Sequence, residues 1–197
     1  MKTIPTFKLV TSNQNKILEY QSIGLPISVE NGADLPEIDS EDFSLIAAYK
    51  SKMAGDFNII EDSILIIDDK IYHDIKFRTK EIVANVEKYY NKPVTWVLTL
   101  ATLIDGQIHL FQNRLSGFIQ KPYPGKSVGF GFDSYFYITV DGDSKSLHEL
   151  KENGLKNQYS PRLMALQKFY DFAKHSSPSD QQYAMEALVD WTGAFQK

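Results

Sequence analysis

Residues 94–120 limit the fold more than any other stretch. The apolar run "VTWVLTLATLI" (94–104) leads into Asp105-Gly106 and then into "GQIHLFQNRLSGFIQ" (106–120). Asp-Gly between two strand-forming runs is the signal of a tight β-hairpin. A run of eleven residues is about twice a common strand length. The chain must build a sheet with long strands, which excludes an all-helical fold.

The remaining segments supply partners for that hairpin. Phe7–Val10 reads as a buried strand and Ile17–Ile23 as a short helix stopped by Gly24 and Pro26. "ISVE" (27–30) reads as a second strand, and "NGADLPEIDSED" (31–42) as an acidic loop. Apolar residues at 43, 46, 47 and 53 predict a helix over Phe43–Met53, capped by Ser40 or Asp42. Ile75, Ile82, Val83, Val86 and Tyr90 predict a second over Ile75–Tyr90, and Leu155–Lys174 reads as a third. "GFDSYFYITV" (131–140) reads as a strand. "HSSPSD" (175–180) is a linker. After it Ala184, Ala187, Leu188, Trp191 and Phe195 recur at three- and four-residue steps, which predicts a C-terminal amphipathic helix over 179–196. Strands and helices in this order give an α/β protein with a long central mixed sheet and flanking helices. The domain expected is 1–174, with 175–197 as linker and terminal helix.

Composition removes several function classes. None of the 197 residues is cysteine, so disulfides and thiolate metal sites are excluded. A net charge of -4 gives no support for coating a nucleic acid. The start, "MKTIPTFKLV", has no apolar core of signal length and no run reaches membrane-spanning length. A cytoplasmic protein without nucleic-acid or membrane partners is expected.

Three stretches could carry chemistry. In "LVTSNQNKILEY" (9–20) a strand ends in Thr11, Ser12 and Asn13, with Lys16 following at the start of a helix. Ser12 or Asn13 capping that helix is one reading; the other is an anion site made of small polar groups, free helix N–H groups and a lysine. In "FNIIEDSILIID" (57–68), Glu61 and Asp62 interrupt two isoleucine-rich runs. They must form a solvated turn, be paired, or bind a cation. With "LPEIDSED" (35–42) they supply the hard oxygen ligands that magnesium prefers. "GKSVGFGFD" (125–133) suits a flat ring lying on backbone, or a β-bulge. Histidines 73, 109, 148 and 175 have no metal-ligand spacing, and there is no nucleophile elbow or P-loop.

In order, these pieces read T-x-N-x-x-K, L-P-E, E-D-S, F-G-F-D and K-N-x-x-S-x-R. That order resembles the inosine triphosphate pyrophosphatase family, the non-canonical purine NTP pyrophosphatases, over roughly residues 6–172. The resemblance implies two lobes around a cleft, Mg2+ as cofactor, a nucleoside triphosphate as substrate and a homodimer. It implies that ITP, XTP and their deoxy forms are cleaved to monophosphate and pyrophosphate. Thr11, Ser12, Asn13 and Lys16 would cradle the triphosphate. Glu37, Asp62 and Glu61 would hold the metal, with Asp62 activating water and Lys16 assisting. Lys50, with Lys52 as the weaker alternative, would reach into the site. Phe130, Gly131, Phe132 and Asp133 would pack on the base, and Lys156, Ser160 and Arg162 would complete its recognition.

The departures from the family pattern fall unevenly. Ser12 replaces a glycine, "EDSI" lacks the bacterial glycine, and "LIIDDKIYHDIKF" (65–77) lacks a glycine-proline turn. Pro161 stands where the family has a base-reading histidine, and proline cannot donate a hydrogen bond. The phosphate and metal half looks kept and the base-reading half altered. A shifted substrate preference, or nucleotide binding without catalysis, are therefore the alternatives.

Overall fold

The computed structural model describes residues 6–25, 27–73, 75–124, 131–175 and 177–196. Phe130, and the glycines at 125 and 129, lie outside the described residues, as does Pro26.

The fold is α/β, and the described residues form a nine-stranded, mostly antiparallel sheet flanked by helices. The first strand, β1 (Lys8–Thr11), is followed by α1 (Gln14–Ile23) and β2 (Ser28–Asn31). Next come α2 (Phe43–Ala54), β3 (Asn58–Ile67), β4 (Lys70–Tyr72) and α3 (Ile75–Ala84). The long hairpin is β5 (Pro93–Ile104) and β6 (Gln107–Ile119), as its sequence predicts. Then follow β7 (Phe136–Val140), β8 (Asp143–Ser146), α4 (Leu147–Glu152), α5 (Lys156–Tyr159), α6 (Pro161–His175) and β9 (Gln181–Ala184). The sheet order is β2-β1-β3-β5-β6-β7-β8, with β4 on β3 and β9 on β6. β1 runs parallel to β2 and β3, so the sheet is mixed.

The chain divides into two compact units. One comprises Met1–Asp62, Leu98–Asn113 and Arg162–Lys197; the other comprises Ser63–Val97 and Arg114–Pro161. Each has its own core. The first packs Ile46, Ala47, Ala48 and Tyr49 of α2 with Ile60, Ala101, Leu103, Ile108 and Leu110. The second gathers Leu65, Ile67, Ile82, Val86, Val94, Phe132, Phe136 and Ile138.

Local chemistry explains most boundaries. Asn13 caps α1 by accepting from the Asn15 N–H, and Gly24 ends it at φ 74°. Asp42 caps α2, accepting from Ser44 and Leu45 N–H at 2.9 and 3.2 Å. Asp105 and Gly106 both have positive φ, the form of hairpin turn that matches strand twist. Asp68 and Asp69 do the same between β3 and β4, so this turn needs no glycine-proline pair.

Several sequence expectations are corrected. Residues 57–68 are not two runs around a solvated turn: β3 passes through Glu61 and Asp62 unbroken, and both carboxylates are buried. The helix expected over 75–90 stops at Ala84 and resumes as a 3-10 turn, Val86–Tyr89. Residues 131–135 form turns, so the strand expected from 131 begins at Phe136. The helix expected over 155–174 is two helices broken at Ser160, because proline disfavours helical backbone in the residue before it and suits the first helical position itself.

The C-terminal helix expected over 179–196 is not there. The segment forms β9, a 3-10 turn (Met185–Ala187) and an extended tail. β7 is registered on Phe118 and Ile119 at the far end of β6, which leaves an open edge on residues 107–110. β9 fills it, pairing Gln107 with Ala184 through to Leu110 with Gln181. Backbone pairing along that edge outweighs the helical spacing of the apolar residues. Those residues are still used: Leu188 is 6% exposed in the first core, and Trp191 packs edge-on to Tyr49.

Candidate active site

In the first unit, α1, α2 and β3 carry most of the expected site residues. Lys50, on α2, places its ammonium 2.7 Å from Glu37 Oε1 and 3.1 Å from Asp62 Oδ1. One cation is thus shared by two carboxylates that lie 25 residues apart in sequence. The Lys50 side chain is 11% exposed and that of Asp62 8%. Burial works against the charge on Lys50, but Asp62 and Glu37 outweigh it and hold its pKa well above the usual lysine value. Lys52 points elsewhere, donating to the Leu188 carbonyl at 2.6 Å. Lys50, not Lys52, faces the carboxylates.

Glu61 is used differently from its neighbour. Its carboxylate accepts two parallel bonds from Arg162, Nε to Oε2 at 2.8 Å and Nη2 to Oε1 at 3.0 Å. The Tyr20 hydroxyl donates to Oε2 at 2.6 Å, and Lys16 Nζ lies 3.1 Å from Oε1. Arg162 also bonds Glu19. Burial pushes the Glu61 carboxyl up, yet Arg162 and Lys16 overcome it and hold the group well below the usual carboxylate range. Alternation explains the split: successive side chains of a strand point to opposite faces. Glu61 therefore meets α1 and the first turn of α6, while Asp62 meets α2.

The stretch that precedes α1 forms a turn. The Asn13 N–H donates to Thr11 Oγ1 at 3.2 Å, and Ser12 Oγ donates to Asp34 at 3.3 Å. Lys16, in the first turn of the helix, is held to Glu61 and remains a fifth exposed.

In the second unit, Lys156 Nζ lies 2.7 Å from Asp133 Oδ2, with both side chains nearly enclosed. Phe132 belongs to that unit's core, Gly131 has φ 52°, and Ser160 is buried. Tyr20 and Glu19 were not anticipated from the sequence. Their signal was their spacing, since both stand a turn after Lys16 and share its helix.

A model of the Ham1 family matches residues 7–172. The chain belongs to the Ham1 family. This is the family of ITP/XTP pyrophosphatases, and membership points to a nucleotide pyrophosphatase, a hydrolase. No curated protein matches the chain. The Ham1 match spans Thr11–Lys16, Glu37, Lys50, Glu61-Asp62 and Lys156–Arg162, and it ends before the tail. Among the described residues no helix is long and apolar enough to cross a membrane.

Ham1 enzymes generally depend on a divalent cation. Among the described residues no group of three or more His, Asp or Glu side chains is placed to hold a metal. Magnesium does not require one: it takes one or two carboxylates and fills its shell with water and substrate phosphates. Glu37 and Asp62, converging on a single ammonium, fit that need. Glu61, with its oxygens engaged by Arg162, Lys16 and Tyr20, does not.

Proposed function

We propose that the protein hydrolyses nucleoside triphosphates to monophosphate and pyrophosphate, with a magnesium ion held by Glu37 and Asp62. The observation that carries this reading is the Glu37–Lys50–Asp62 arrangement, in which a half-buried and a buried carboxylate already share a cation. When bound, the ion would neutralise phosphate charge at the reacting centre. Asp62 accepts the proton of a water that attacks the α-phosphorus, and the bond to the β-phosphate oxygen breaks to release pyrophosphate. Lys50 adds a fixed positive charge for phosphate oxygens. Thr11, Ser12, Asn13 and the free N–H groups at the start of α1 cradle the triphosphate. Lys16 provides a point charge beside them, and Glu61 positions it.

Purine triphosphates such as ITP and XTP are the proposed substrates, with Phe130–Asp133, Lys156 and Ser160 in base recognition on the strength of the family motifs. A reduced base preference is the second reading, and two observations favour it. Pro161 is the first residue of α6, and Arg162 is turned onto Glu61 and Glu19. A cytoplasmic homodimer belongs to the same proposal and rests on family membership.

Asp62→Asn tests the catalytic assignment. Losing a general base costs about 10²–10⁴-fold, and pyrophosphate release from ITP should fall at least that far. The fold should survive, because Glu37 still pairs Lys50. Near-normal turnover in this variant would remove Asp62 from the reaction.

A further inference from the structure

We propose that residues 189–196 form a latch that positions Glu37 toward the divalent cation; this rests on the function proposed above. Glu37 lies in the stretch 32–42, which contains no helix or strand beyond one bridge, Ile38 to Phe195. That bridge is made by the tail. The Asp39 N–H donates to the Ala194 carbonyl and the Gln196 N–H donates to the Glu37 carbonyl, both at 2.9 Å. The Gln196 side chain adds a bond to the Ile38 carbonyl at 3.3 Å. Glu37 is therefore gripped through its own backbone oxygen and through both following residues.

The other end of the tail is fastened to α2, the helix that carries Lys50. Leu188 is buried beside Ile46 and Tyr49. The Tyr49 hydroxyl and Lys52 Nζ each donate at 2.6 Å, to the Val189 and Leu188 carbonyls. Trp191 stacks edge-on against Tyr49 and donates to the Ala194 carbonyl at 2.8 Å. One segment thus ties the loop of Glu37 to the helix of Lys50, and it lies beyond residue 172, where the family match ends. A loop of eleven residues without such ties would sample many backbone states, and a ligand carboxylate on it would be placed only part of the time.

Gln196→Pro tests this, because it deletes the N–H that holds the Glu37 carbonyl. Phe195 is already extended in the bridge, the conformation proline asks of its predecessor. Gln196→Ala keeps that N–H and is the control, and deletion of 192–197 is the second variant. Two readouts apply: Mn2+ binding to nucleotide-free protein by electron paramagnetic resonance, and hydrogen exchange at the Asp39 amide. Gln196→Pro and the deletion should weaken Mn2+ binding about three- to tenfold, the size of one or two lost backbone hydrogen bonds, and speed exchange at Asp39. Gln196→Ala loses only the longer side-chain bond to the Ile38 carbonyl and should weaken Mn2+ binding clearly less than Gln196→Pro does. Unchanged Mn2+ affinity in Gln196→Pro, with Asp39 exchanging freely, would overturn the latch alone. An equal loss in Gln196→Ala would overturn the backbone grip. A wild-type protein that binds no Mn2+ and cleaves no triphosphate would overturn the proposed function and the latch together.

Discussion

Replacing Arg162 by methionine probes a pair of buried opposite charges in the first unit. Arg162 is 7% exposed and Glu61 4%, and they meet through two parallel hydrogen bonds. Burial opposes the charge on Arg162, but Glu61 and Glu19 outweigh it and raise its pKa further. Removing one partner of a buried pair costs about 3–5 kcal/mol, because the other charge stays behind without compensation. Lys16 and Tyr20 remain on Glu61, so the low end is expected: a loss of about 3 kcal/mol at pH 7 in urea unfolding. The pH dependence carries the sharper test. In the wild type the folded pKa of Glu61 is depressed. Its stabilisation is complete above the unfolded value of about 4.3 and is lost as pH falls toward the lower folded value. Without Arg162, burial pushes that carboxyl up and only Lys16 and Tyr20 oppose it. The variant therefore loses less on acidification, and the gap between the two proteins should narrow from pH 7 to pH 4. Glu61→Gln added to Arg162→Met should recover part of the loss. A deficit below about 1 kcal/mol that is equal at both pH values would refute the buried pair and free Arg162 to act on substrate.

Two further outcomes follow from the geometry. A Cβ on Gly117 would lie 2.0 Å from the Tyr137 carbonyl oxygen, so Gly117→Ala should force β6 from β7 and destabilise by about 1–3 kcal/mol in thermal melting; an unchanged melt would contradict that strand register. Pro161→His should raise the ITP-to-ATP ratio of kcat/KM by about tenfold, the worth of one hydrogen bond, whereas a flat ratio would place base selection elsewhere.

Much of the sheet was legible in the sequence because its signals are local. Asp105-Gly106 between two long apolar runs marked the β5–β6 hairpin, and the residues before Phe43 narrowed the cap of α2 to Ser40 or Asp42, of which Asp42 takes the role. What sequence could not decide was the fate of Glu61-Asp62. Three outcomes satisfy the physics of a charge in an apolar run, and the choice depends on Arg162, which lies 101 residues away. The tail failed for a related reason. Its helical spacing is real, but the open edge of β6 exists only once β5, β6 and β7 are in register, and that edge decided the conformation. The anion reading of Thr11–Lys16 was drawn from residue types; the geometry gives capping bonds for Asn13 and an ion pair for Lys16, and phosphate contact remains part of the proposed function.

If the Glu37–Lys50–Asp62 arrangement belongs to a triphosphate pyrophosphatase, the protein must cleave a nucleoside triphosphate in a magnesium-dependent way. Incubating the purified protein with ITP, XTP, ATP, GTP, CTP and UTP, with and without magnesium, and separating the products by anion exchange tests it most directly. Magnesium-dependent formation of monophosphate and pyrophosphate in equal amounts, greatest for ITP or XTP, is the expected result. Release of single phosphates, or no turnover of any triphosphate at millimolar magnesium, would contradict it.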